Sequence, residues 1–171
     1  MRRAEPRDLP AIVGLLAADQ LGATRDGGDL APYRRAFDAI DADPAQLLVV
    51  VDADPAPGMV DAGPEPGMVV DGPEPGGPVV ATMQVTFIPG LARRGALRAQ
   101  IEAVRVRADH RRYGLGAAMV GWAVDEAHRR GCALVQLTSD KSRQQAHRFY
   151  RRLGFVDSHE GFKLHLPPPG G

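Results

Sequence analysis

The stretch Ile101-Glu102-Ala103-Val104-Arg105-Val106-Arg107-Ala108-Asp109-His110-Arg111-Arg112-Tyr113-Gly114-Leu115-Gly116 decides the reading of the fold. Its first half is apolar at Ile101, Ala103, Val104 and Val106 and predicts a strand over Gln100–Arg107. Its second half ends in two glycines directly before a helical pattern. Leu115, Met119, Trp122 and Ala123 share one face of a helix predicted over Gly114–Arg130. His128, Arg129 and Arg130 suit its C-terminal dipole, and Gly131 stops it. The junction is therefore strand, turn, helix. A turn that opens a helix presents unpaired N–H groups and the positive end of the dipole. Glycines let an anion approach the backbone closely, and Arg111 and Arg112 add charge at the same place. In physical terms residues 111–116 are a cradle for a pyrophosphate.

The elements on either side alternate between strand and helix. Asp8 before Leu9-Pro10 predicts an N-cap and a helix to about Ala18. Tyr33, Ala36, Phe37 and Ile40 predict a second helix over Pro32–Ile40. Gln46–Val51 and Pro78–Phe87 read as strands joined in a hairpin. Downstream, Ala133–Thr138 reads as a strand, and Ser142-x-x-Gln145 as a capping box opening a helix to Leu153. Ala146, Phe149, Tyr150 and Leu153 line its apolar stripe. Phe155–Val156 and Gly161–Leu166 predict two closing strands. Alternation of this kind predicts an α/β or α+β layered domain.

The chain has 171 residues, enough for one ordinary domain. Lysine plus arginine number 21, as do aspartate plus glutamate, so the formal net charge is zero. That balance argues against a nucleic-acid partner, which needs a strong positive field. No apolar run approaches the roughly 20 residues of a membrane helix, so no membrane partner is expected. Cys132 is the single cysteine, which suits a reducing compartment and a cytoplasmic location. The five histidines show no i, i+4 pairing and no cysteine partner, so no metal is expected. Residues 53–78 stand apart. Seven prolines and six glycines fill 13 of these 26 positions, with five carboxylates and no basic residue. A nine-residue unit repeats within them (Pro57–Glu65, then Pro66–Glu74). Such a composition predicts a mobile acidic loop between the two hairpin strands.

Two phosphate-binding signatures fail on the glycine turn. A dinucleotide fingerprint needs glycine or alanine three residues after Gly116, where Met119 stands. A phosphate loop of the Gly-Lys-Ser/Thr kind is absent. What the turn does resemble is the Arg/Gln-x-x-Gly-x-Gly/Ala signature of the GNAT acetyltransferase superfamily, here Arg111-x-x-Gly114-x-Gly116. Gln145-Ala146-His147-Arg148-Phe149-Tyr150-Arg151-Arg152-Leu153-Gly154-Phe155 is similar to that superfamily's later helix-and-strand motif, at the expected distance. Ile101-Glu102, Ala146–Tyr150 and Ser158-His159 are also similar to aminoalkylphosphonate and related small-amine N-acetyltransferases. Met1–Arg3 would be the first strand, and the acidic repeat is foreign to the family pattern.

The resemblance implies one N-acetyltransferase domain over residues 1–171, with the acidic segment as an insertion at 53–78. Its fold would be a mixed, mostly antiparallel sheet splayed between strands four and five and flanked by helices. It implies acetyl-CoA as co-substrate and a small-molecule amine as acceptor, with acetyl transfer by direct attack in a ternary complex. A homodimer is compatible with it. The pantetheine arm would lie along the backbone of Val104 and Val106, and the pyrophosphate on Arg111, Arg112, Tyr113, Gly114, Leu115 and Gly116. Glu102 interrupts an apolar strand and is the candidate base, acting directly or through water. Tyr150 is the candidate acid for the leaving thiolate. A backbone N–H near Val104 would stabilise the oxyanion. His147 could touch cofactor or acceptor, although a surface role fits it better. The acceptor pocket is expected near Leu21–Leu30 and Pro89–Ala96, at the end of the sheet away from the cofactor. Two other readings compete: a non-catalytic acyl-CoA-binding or sensor domain on the same fold, and a partner-binding role for the acidic segment.

Overall fold

The computed structural model describes residues 1–19, 22–53 and 77–166, and the acidic repeat lies outside these residues. Five strands form one sheet in sequence order: β1 (Arg2–Arg3), β2 (Gln46–Asp52), β3 (Val79–Ile88), β4 (Arg98–Val106) and β5 (Leu134–Leu137). Pairing is antiparallel from β1 to β4 and parallel between β4 and β5. The helices are α1 (Leu9–Ala17), α2 (Ala31–Ala42), a short turn α3 (Ala92–Gly95), α4 (Leu115–Arg129) and α5 (Gln144–Arg152). This is the mixed, mostly antiparallel sheet expected from the sequence.

Two cores follow from the strand alternation. Val49, Met83, Val85, Ala99 and Ile101 pack on one face against Met119, Val120, Ala123 and Ala127 of α4. Val50 on the other face meets Ile12 and Val13 of α1 and Phe37 of α2. Met83, Ile101 and Met119 are all but fully buried. Truncating such a side chain to alanine costs about 2–5 kcal/mol.

The first helix is anchored differently from the sequence expectation. Asp8 has helical backbone angles and places no cap on α1. Its buried carboxylate instead accepts both Nη groups of Arg2 at 2.7 and 2.9 Å and the Glu5 amide at 2.7 Å. Arg2 also grips Asp52 at 2.8 Å, so one guanidinium ties β1 to β2 and α1. The capping box at Ser142 is likewise absent, and α5 carries no side-chain cap. Asp140 takes that role in the preceding turn, accepting the Ser142 amide at 2.9 Å and its hydroxyl at 2.6 Å. The two closing strands do not form either: residues 155–166 carry no strand.

Candidate active site

β4 is longer than its ladder with β5. The parallel pairing runs from Arg98↔Leu134 to Ile101↔Leu137 and stops there, while β4 continues to Val106. Among the described residues, 102–106 are therefore unpaired on the β5 side. The direction of their backbone groups can be worked out. The Arg107 amide donates to Val80 of β3 at 2.8 Å, so it points away from the gap. Backbone groups alternate along a strand, so those of Val106 and Val104 face the gap. In keeping with this, Val106 offers its carbonyl to Arg111 Nε at 3.0 Å.

The same stretch carries a bulge. Gln84 pairs with Glu102 and Thr82 with Arg105, so β4 has one residue more than β3 across this interval. Ala103 absorbs it at φ 52°, in the left-handed region that costs a non-glycine residue. The bulge switches faces. Ile101 points to α4, and beyond Ala103 it is Val104 and Val106 that pack on that core. Glu102 and Arg105 are thereby turned to the α1 side. Glu102 is exposed there. Arg105 is only 11% exposed and meets Asp19, just beyond α1, at 3.3 Å.

Below the gap lies a cleft of about 450 Å³, lined by Val106, His110, Arg111, Arg112, Gly114, Leu115 and Gly116, and closed from α5 by Phe149, Arg152 and Leu153. Gly114 is the residue before α4 and sits at φ 77°, a conformation glycine adopts without strain. A Cβ on Gly116 would lie 3.5 Å from Phe149 and 3.9 Å from Val106, so anything larger than a methyl would fill the cleft. The turn itself is braced by Asp109, which accepts Arg107 Nε at 2.8 Å and lies 2.9 Å from His110 Nδ1. Those two hydrogen bonds hold its carboxyl well below the usual range. Free helix N–H groups, a glycine wall and arginines at one rim fit a pyrophosphate. Tyr113 is the exception among the predicted cradle residues: its side chain is 83% exposed and lines no part of the cleft.

Tyr150 follows Phe149 on α5. Its ring meets Phe149 edge-on at 5.1 Å and Phe155 at 5.9 Å. Among the described residues its hydroxyl has no hydrogen-bond partner, which leaves the phenol free for a substrate. Burial pushes its pKa above the ordinary 10, with Arg143 and Arg105 pulling weakly the other way. These arginines belong to a cluster that the sequence did not suggest. Asp19 bridges Arg105 and Arg143 (3.3 and 3.2 Å), tying the end of α1 to β4 and to the start of α5. Burial lowers the Arg105 pKa, and Asp19 opposes that shift. An arginine at a strand position flanked by Val104 and Val106 was the available signal. The cluster also puts the start of the segment after α1 beside the gap, and not at the opposite end of the sheet where the sequence reading placed residues 21–30. His147 is taken up by the Asp140 carbonyl at 2.8 Å, in agreement with a surface role.

Comparison with known proteins fits this geometry. The model of the acetyltransferase (GNAT) family matches residues 33–155. A transcriptional regulator from Bacillus halodurans C-125 is 38% identical, with a TM-score of 0.81 over 96% of this chain and 97% of that one. A protein from Clostridium acetobutylicum, described as a predicted acetyltransferase with acetyl-CoA, is 17% identical and shares the fold at a TM-score of 0.66, over 96% of this chain and 94% of its own. The aminoalkylphosphonate N-acetyltransferase of Salmonella typhimurium (strain LT2) is 40% identical over 48 residues, which is 28% of this chain and only 31% of that protein.

Proposed function

We propose, for a chain that belongs to the GNAT acetyltransferase family, that it moves the acetyl group of acetyl-CoA to the primary amine of a small molecule within a ternary complex. The carrying observation is the edge of β4 at residues 102–106, unpaired among the described residues, which leads into the glycine turn and its cleft. An extended pantetheine arm adds to the Val104 and Val106 backbone as a strand adds to a sheet edge. The pyrophosphate then rests on Arg111, Arg112, Gly114, Leu115 and Gly116.

Glu102 stands on the open side of β4 and takes a proton from the ammonium, directly or through water. The freed amine nitrogen attacks the thioester carbon. Charge developing on the carbonyl oxygen is met by an N–H of the bulged backbone near Val104. As the carbon–sulfur bond breaks, the thiolate takes the Tyr150 proton, and the phenolate left behind recovers the extra proton of the new amide nitrogen, directly or through water. The amide and free CoA are the products. The domain spans residues 1–171, works in the cytoplasm without a metal, and carries the acidic segment as an insertion that the chemistry does not use. The Ala53 amide bonds to the Pro78 carbonyl at 2.9 Å, so replacing residues 54–76 by Asn-Gly leaves a short hairpin turn and kcat intact.

The test is thiol release from acetyl-CoA across a panel of amines that includes aminoalkylphosphonates. Turnover with at least one small amine, reduced in Glu102→Gln most strongly at low pH, is the expected result. A second reading, an acyl-CoA-binding regulatory module, draws on the likeness to the Bacillus halodurans regulator. Tight CoA binding with no turnover on any amine would favour it.

A further inference from the structure

Four polar residues stand in one row across the sheet. Gln46 pairs with Thr86, Thr86 with Gln100, and Gln100 with Gln136, so β2, β3, β4 and β5 each place one of them at the same height. Their chain neighbours Leu47, Val85, Phe87, Ala99 and Ile101 are buried in the core with α4. Side chains alternate along a strand, so the row lies on the other face, the one that carries Glu102. Glu102 adjoins it. Across the strands it pairs with Gln84, and along β4 its next neighbour on this face is Gln100. Opposite residues stand about 5 Å apart and alternate ones about 7 Å. A small molecule whose amine meets Glu102 therefore reaches both amides.

The patch is braced from within. Gln46 Oε1 accepts Gln84 Nε2 at 3.1 Å and the Thr86 hydroxyl at 2.8 Å, and Gln100 Oε1 accepts Gln136 Nε2 at 2.7 Å. These bonds fix which way the amides point. They leave the Gln84 and Gln136 side-chain oxygens as acceptors and Gln100 Nε2 as a donor, without partners among the described residues. Gln46, Gln84, Thr86 and Gln100 are half-buried and Gln136 is exposed.

That donor and acceptor set selects a ligand chemistry. A hydroxyl both donates and accepts, so it satisfies either kind of group. A carboxylate or phosphonate only accepts, and would set its charge against the two free oxygens. An alkyl chain would strip water from all three atoms and return nothing. The cations of this face stand apart from the amides. Arg105 is bridged to Asp19 beyond the bulge, and Arg98 lies one row past Gln100, between Ile88 and Leu134.

We propose that Gln84, Gln100 and Gln136 select the acceptor, and that it is an amino alcohol, with its primary amine at Glu102 and a neutral hydroxyl on the amides. The place of the amine rests on the proposed acetyl transfer, and the hydroxyl on the patch itself. A site built to bond a hydroxyl rejects the analogue that lacks it, because its own polar groups are then left unpaired.

Aminobutanol, pentylamine and aminobutylphosphonate test this, since they share a chain and differ at its far end in hydroxyl, methyl and phosphonate. Thiol release from acetyl-CoA gives kcat/KM for each, and calorimetry on the CoA-loaded protein gives their affinities without turnover. Aminobutanol should exceed the other two at least about 10-fold in both measurements, the worth of one or two hydrogen bonds. In Gln100→Leu the preference over pentylamine should vanish through KM, with Tm and CoA affinity reporting on the fold. If that variant does not fold, Gln136→Leu, at an exposed position, should reduce the same preference. Aminobutanol bound best, with none of the three acetylated, would sink acetyl transfer and leave the amide patch as a hydroxyl site. Absence of binding, equal treatment of the three, a preference for the phosphonate, or a hydroxyl preference that survives these substitutions would overturn the assignment.

Discussion

Ile101 and Leu137 form the last pair of the parallel β4–β5 ladder. The stretch of β4 that the described residues leave unpaired on this side begins one residue later. The edge is kept open by a bulge whose cost falls on Ala103, and that strain persists because the flanking pairs Gln84↔Glu102 and Thr82↔Arg105 fix both sides.

The gap-facing N–H groups are open to direct test. Val104→Pro removes one donor from the unpaired edge without touching the β3 ladder, since the Val104 backbone faces the gap. Acetyl-CoA affinity should fall by about 10-fold, the worth of one or two hydrogen bonds. Titration calorimetry with CoA reads this, and circular dichroism checks the sheet. Unchanged affinity in a folded variant would remove Val104 from the binding edge.

The glycine turn separates into two effects. Gly114→Ala strains a residue at φ 77° and should cost about 1 kcal/mol of stability or somewhat more, visible as a lower Tm. Gly116→Leu leaves the backbone unstrained but extends into the cleft beyond Phe149 and Val106. It should weaken CoA binding at least about 10-fold, a loss near 1.4 kcal/mol, while Tm moves little. Equal effects of the two on binding and stability would contradict this division.

The Arg2–Asp8 pair makes stability depend on acid. Burial raises the Asp8 pKa, but the Arg2 hydrogen bonds and the Glu5 amide lower it further, and the net shift is downward. A carboxylate with a depressed folded pKa stabilises the fold above its unfolded value, near 3.9, and loses that contribution as pH falls through the folded pKa. Tm should therefore drop below about pH 4. Asp8→Asn should cost about 2–3 kcal/mol at neutral pH, by leaving Arg2 short of its partner, and should flatten the acid limb. Chemical denaturation at several pH values measures both.

How much of this was legible in the sequence depended on whether the cause was local. The β4–turn–α4 junction was readable because glycine backbone freedom, helix dipole and strand alternation are all local, and Gly114 and Gly116 stand where they were expected. The cap assignments at Asp8 and Ser142 failed because each side chain had a stronger partner that spacing does not display: Arg2 for Asp8 and Asp140 for Ser142. The Asp19–Arg105–Arg143 cluster joins positions 124 residues apart, so only the folded chain brings it together. Phe162, Leu164 and Leu166 alternate as a strand should, but a strand also needs a neighbour, and alternation alone does not supply one.

The proposed function puts Tyr150 in the proton path as the acid. Its phenol is packed between Phe149 and Phe155 and faces two arginines, Arg105 and Arg143, through space. Burial raises its pKa, so the phenol holds its proton to higher pH than an exposed tyrosine does. Burial makes the phenol a weaker acid toward the leaving thiolate, and Arg143 and Arg105 oppose that by favouring the negative charge left on the phenol oxygen. Tyr150→Phe keeps the ring and its edge contacts and removes only the proton. The expected outcome is a kcat lower by about 10²-fold, with CoA affinity and Tm close to wild type. The pH profile gives a second reading. Wild-type kcat should show no falling limb below pH 10 that disappears in Tyr150→Phe, because a raised acid pKa moves such a limb upward. A wild-type kcat in the phenylalanine variant on the best amine would take Tyr150 out of the proton path and leave solvent as the acid.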